Sequence, residues 1–383
     1  MSLTTQLHRG ELGRWCATHL SGTAQLVADV RRQVAAAGNP EPIGRDRRLS
    51  GPQWSLVAAA LRLRLALLVD GSAPATALLC AIRANLVGSG VIDRARSLFA
   101  RGRVLDAGSR WSPFTPGSSG WLGAAGADSA ATAGADGSVL EDEQVVEDFL
   151  RRTAGYLYEH APPGTIGSLG AEAGLARSCW VLAAWELGNR TRWPAELAAV
   201  HATPGYTVED LRGAVPGEAV RCLIELVSAV SAGRTLRGWR GDAPGRRSRA
   251  AGPLGVSRPI VVPHWAQVDL LIDRTAIDVA VVASVEDGVI TRLLWRLLAY
   301  SWLDTVDRHR IRSVGLYLAR HGVQAVWGST TFADLLLGGT GRSESGAREE
   351  FLGIARRAAV AEGMQPPAEW IPRSPGNVAM PPS

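Results

Sequence analysis

Residues 266–283 read AQVDLLIDRTAIDVAVVA, and the fold of the chain turns on them. Two apolar, β-branched runs, 268–272 and 276–283, are separated by Asp273 and Arg274, a dipeptide that suits a two-residue hairpin turn. Pairing across that turn sets Asp269 opposite Asp278. Their Cβ atoms then lie about 4.5 to 5.5 Å apart on one face of the ladder. Two acids that close either repel or hold a hard divalent cation, so Asp269 and Asp278 are the candidate metal ligands. Val268, Leu270, Ile272, Ile277 and Val279 take the opposite face, which is expected to pack under helices.

Further along, 313–319 and 323–327 are again short β-branched runs, and between them and the hairpin lies an apolar, helix-length segment, 290–306. The order strand, strand, helix, strand, strand predicts a mixed sheet with a crossover helix. A last helix at about 343–361 closes an α/β domain spanning 259–361, and a Pro-rich tail, 362–383, follows.

Upstream the period is helical, as in Leu56, Ala59, Ala60, Leu63 and Leu67, which predicts a helical N-terminal region over 1–112. Residues 113–140 are Gly, Ala, Ser and Asp with few large apolar side chains and read as a flexible linker. Helical pattern returns over 141–235, in segments 141–160, 171–189 and 207–232. Residues 236–258 carry six arginines among Gly, Pro and Ser and read as a mobile loop. The fold class expected is therefore α+β, helical in its first two regions with a mixed-sheet α/β domain at its C-terminal end.

Hydrophobic residues make up 46% of the 383 and charged residues 20%, ordinary globular usage that excludes a collagenous or wholly disordered chain. All 41 basic residues are arginine. Without lysine, Walker-loop phosphate binding, Schiff-base chemistry and lysine-dependent kinase or nuclease centres are excluded. A net charge of +5 permits a polyanionic partner without requiring one. Cys16, Cys80, Cys179 and Cys222 form no CxxC pair and read as small buried hydrophobes. His264, His309 and His321 lack ligand spacing and read as surface or turn residues, and no nucleophile motif accompanies His160 or His201. Among the thirteen tryptophans, Trp180, Trp185, Trp295 and Trp302 sit in apolar helical patterns and read as core, whereas Trp111 and Trp121 border the linker. The most apolar stretch, 54–69, is interrupted by Arg62 and Arg64, and no signal core opens the chain; a cytoplasmic protein without membrane spans is expected.

Ala266 to Val282 as quoted, Arg-Leu-Leu-Ala-Tyr at 296–300 and RIRSVGLYLARHG at 310–322 together resemble a group of uncharacterised bacterial proteins. Their C-terminal domain has the restriction-endonuclease-like PD-(D/E)XK fold. GLARSCWVLAAWELGN at 174–189 adds a weaker similarity. The resemblance implies a nuclease domain in which one acid on the second strand and an acid-x-lysine triplet on the third bind Mg2+ or Mn2+ and activate water. Asp269 and Asp278 fall on the acid positions, but Ala280 stands at the lysine position and Val281 and Val282 replace the polar pair after it. Arg296 stands where the pattern has a helix glutamine, and Tyr300 is retained.

Arginine stays protonated and cannot replace the lysine as a proton acceptor. The expectation is thus a nucleic-acid-associated pseudo-nuclease, with DNA as partner, in a DNA-processing or phage-defence setting. One alternative is an active nuclease whose metal is held by Asp269, Asp278 and a nearby acid such as Glu225 or Glu286. Another is a protein-interaction subunit built on the helical region. Arg292, Arg296 and Tyr300, four apart on one helix face, and Arg246 and Arg247 with Trp239 in the Arg-rich loop are the candidate nucleic-acid contacts.

Overall fold

Asp273 and Arg274 both have positive φ, 44° and 63°, the conformation that a two-residue hairpin of matching twist requires. Around them β4 (Leu270–Ile272) and β5 (Thr275–Ala280) pair antiparallel with Leu270 opposite Ile277, the register expected from the sequence. The computed structural model describes residues 2–38, 41–44, 49–99, 141–188, 193–232, 234–241, 252–263, 265–339 and 343–363. The linker 113–140, the tail from 364, Trp111, Trp121 and His264 lie outside those residues.

The hairpin belongs to a five-stranded mixed sheet in the order β1 (Gly255–Ser257), β4, β5, β6 (Ser313–Leu318) and β7 (Val323–Gly328). β5 and β6 are parallel, joined by the crossover helix α13 (Asp287–Leu303), and the other pairs are antiparallel. A separate short ribbon is formed by β2 (Ile260–Val262) and β3 (Ala266–Gln267). Helix α13 forms because Ile290, Leu294, Leu297 and Leu298 recur at helical spacing and are buried against the sheet. Each such leucine stabilises the fold by roughly 1.5–3 kcal/mol.

Before the sheet run α1 (Leu3–Arg9), α2 (Glu11–His19), α3 (Thr23–Ala36), α4 (Gly51–Val69), α5 (Ala75–Arg83) and α6 (Val91–Phe99). Then come α7 (Glu141–His160), α8 (Leu169–Gly188), α9 (Ala195–His201), α10 (Val208–Gly213), α11 (Gly217–Ala232) and α12 (Thr235–Trp239). After it come α14 (Ser329–Leu337) and α15 (Glu344–Ala361). Ser50 and Gln53 form a capping box that starts α4, and the chain turns away at Gly71 with φ 63°. α4 is long and apolar enough to cross a membrane, but most of it is enclosed by protein, chiefly by α8. That enclosure explains why it is apolar on every side.

Helices cover both faces of the sheet, and the N-terminal region is divided between them. Leu270, Ile272, Ile277, Val279 and Tyr317 share one core with α4, α8 and α11. Leu271, Ala276, Ala280, Val314, Leu316 and Leu318 share the other with α1, α2, α3 and α13. The described residues between 2 and 99 are helical, with α1, α2 and α3 on one face of the sheet and α4 on the other.

Val268 also departs from expectation. It packs in the α13-side core, not with Leu270 and Ile272, because strand geometry begins only at Leu270. The segment 207–232 is two helices, since Pro216 has no N–H to donate and interrupts the run. The Arg-rich stretch 236–258 is not all loop: α12 occupies its start and β1, a strand of the main sheet, its end.

Candidate functional site

The hairpin register, α4 and α13 converge on the acid pair. Asp278, in the middle of β5, is only 1% exposed and turns toward α13. There Arg296 grips it with two parallel bonds, Nε to Oδ2 at 2.6 Å and Nη2 to Oδ1 at 2.7 Å. Asp269 lies one residue before β4, opposite Asp278, and its Oδ2 accepts the Val279 N–H at 2.8 Å. Arg62 of α4 reaches the same oxygen at 3.4 Å and donates from Nε to the Val279 carbonyl at 3.2 Å.

Their electrostatics differ in sign. For Asp269 burial opposes ionisation, but Arg62, Arg296 and hydrogen bonds from Asp278 and Val279 outweigh it and hold its carboxyl below the ordinary value. For Asp278 burial pushes up, Arg296 pulls back and Asp269 pushes up again, leaving the carboxyl raised to about 6. Burial also pushes the Tyr300 phenol up, with Arg296 opposing.

A divalent ion does not fit this arrangement as it stands. Both oxygens of Asp278 are taken by a guanidinium, and a second guanidinium lies on Asp269. Glu286 is exposed and bonded to Ser284, and neither it nor Glu225 joins the pair: among the described residues no group of three His, Cys, Asp or Glu side chains could hold a metal. Ala280, two residues beyond Asp278 on the same face of β5, is 2% exposed among apolar neighbours, with no polar group at the position the resemblance assigns to lysine.

The proposed contacts separate in the structure. Arg296 is committed to Asp278, and Tyr300 is 5% exposed, so neither is a free surface group. Arg292 is half-buried and, among the described residues, has no ion-pair partner. Arg246 and Arg247 lie outside the described residues. Trp239 is not available for base stacking, because it is buried against Tyr317 and donates to Gln324 Oε1 at 2.8 Å. Arg258, the last residue of the Arg-rich stretch, has φ 52° and makes a two-point pair with Glu186.

His309 and His321 are buried, although His321 does lie in a turn, the one between β6 and β7; the His309 Nε2 meets the Ile260 carbonyl at 2.8 Å. Three of the four cysteines are buried as expected, and Cys80 is half-buried. Trp180, Trp185 and Trp302 are core, and Trp295 packs at its margin with its N–H on Thr23.

Sequence reasoning missed Arg62 as part of the centre. The signal was present in the two arginines that interrupt α4, since a charge inside an apolar helix must find an acid. Residues two apart on a helix point about 200° away from one another. Arg64 accordingly meets Glu172 in the helical layer, and Arg62 meets Asp269 at the sheet. Comparison with family models, with curated proteins and with solved structures finds no match to this chain.

Proposed function

We propose that this chain is a cytoplasmic, nucleic-acid-associated protein whose sheet domain derives from a PD-(D/E)XK nuclease and no longer cleaves. The observation that carries the reading is the occupation of Asp278 by Arg296. The reading is supported by one acid at the head of the second strand of the sheet, a second acid on the third, and a crossover helix beside them. The working parts of a nuclease centre are replaced: an arginine cannot accept a proton, and the lysine position is a buried alanine. DNA is the favoured partner, because Arg292, on the same helix face, has no ion pair among the described residues and the chain carries net positive charge.

The test is incubation of the full chain with single- and double-stranded DNA in Mg2+ or Mn2+, beside Asp278→Ala, followed by a low-salt retention assay. The expected result is retention that weakens steeply with salt and no cleavage. Cleavage that disappears in Asp278→Ala would make the chain an active nuclease. Absence of both signals would overturn the nucleic-acid reading in favour of a protein-interaction role.

A further inference from the structure

We propose that Arg62 and Arg296 together supply the two positive charges that a divalent ion would otherwise bring to Asp269 and Asp278, so that the centre is complete without metal. Removing both guanidinium groups turns it into a cation site. The chemistry is one of charge and geometry. Two carboxyl groups on facing positions of a hairpin, one of them 1% exposed, are costly to leave uncompensated. The compensation present is cationic and directional: two bonds from Arg296 to Asp278 and the Arg62 guanidinium on Asp269. Arg296 belongs to the helix that covers one face of the sheet and Arg62 to a helix that covers the other. The paired charges therefore also join the two helical layers across the end of the hairpin, a task an ion held only by β-strand residues would not perform.

The inference does not rest on nucleic-acid association, and its test contains no DNA. Thermal unfolding of the full chain is recorded with EDTA and with Mn2+, together with the electron paramagnetic resonance signal of free Mn2+. The proteins are wild type, Arg62→Gln with Arg296→Gln, and that double variant with Asp278→Asn added. Wild type should unfold at the same temperature in EDTA and Mn2+ and leave the free-ion signal unchanged. The double variant should be weakened in EDTA and gain about 3 °C with Mn2+ at a hundredfold excess over its dissociation constant, with loss of free-ion signal. The added Asp278→Asn should abolish both gains.

Mn2+ binding by wild type that Asp278→Asn removes would overturn the proposal. So would a double variant that folds but does not respond, or one that Mn2+ fails to fold. Broadening of the Val279 and Ala280 amide signals of wild type by Mn2+ gives a readout independent of any variant's folding, and its appearance would also refute the idea.

Discussion

Two buried arginine–carboxylate pairs, built from the same groups, are set in different surroundings. Arg64 and Glu172 lie between α4 and α8 with side chains 2% and 3% exposed, joined by bonds of 2.7 Å at both oxygens. Glu172 also accepts the Gly167 N–H, so its carboxylate is satisfied, while Arg64 Nη1 has no hydrogen-bond partner among the described residues. Arg296 and Asp278 have the same two-point geometry, but the arginine is 19% exposed and a second acid adjoins the first. The first pair is a sealed single acid with its counter-charge, whose role is confined to holding two helices. The second has an adjoining acid with an arginine of its own, Asp269 with Arg62, and an edge near solvent.

The comparison breaks first at the sealed pair. Arg64→Met should cost about 3–5 kcal/mol of stability, since Glu172 is left charged and buried. Adding Glu172→Met should recover most of that loss, because the apolar replacement no longer pays desolvation for either ion. Chemical denaturation of the three proteins reads both effects. A loss below about 1 kcal/mol in the single variant would mean that water reaches Glu172 and that the two pairs are not distinguished by sealing.

The hairpin and its register were legible because three local signals agreed: the shared face of Leu270, Ile272, Ile277 and Val279, the Asp273–Arg274 turn, and two acids at complementary positions. The crossover helix and the strand order around it were legible for the same reason, each element carrying its own period. The partner of each acid was not. Arg62 stands more than two hundred positions before Asp269, and no local pattern says which of two arginines in one apolar helix turns toward the sheet. Arg296 was visible on its helix face, yet sequence could not show that it points inward to Asp278 instead of outward to a phosphate. β1 was hidden because three residues among Gly, Ser and Arg become a strand only when β4 is beside them.

The second prediction sharpens the electrostatic contrast. Asp278 has a folded value of about 6, above the 3.8 of an ordinary aspartate, so between about pH 4 and 6 the folded chain binds more protons than the unfolded one. The contribution of Asp278 is thus fully present below about pH 4 and is lost as pH rises through 6. Asp269, held low, works the other way: its contribution is present above about pH 4 and disappears as pH falls through its folded value. In Asp278→Asn the first slope vanishes. Its unfolding temperature relative to wild type should climb between pH 4 and 6 and level off above, and a difference that is flat across that window would mean that the Asp278 carboxyl is not raised in the folded chain.

The smallest effect on stability, and the sharpest test of what separates a committed arginine from an uncommitted one, is expected at Arg292. It lies one turn before Arg296 on the same face of α13, half-buried and, among the described residues, without an ion pair. Arg292→Ala should change stability by no more than about 0.5 kcal/mol, as a surface substitution away from any cap, cavity or ion pair. If the helix face meets a phosphate, the same change should weaken DNA retention alike for every sequence and lower the salt slope by about 1. Arg296→Gln should do the reverse, lowering stability by several-fold more while leaving the slope in place, since its charge is already spent on Asp278. Equal slopes for wild type and Arg292→Ala would remove α13 from the nucleic-acid surface and leave the acid pair and its two arginines as a structural remnant.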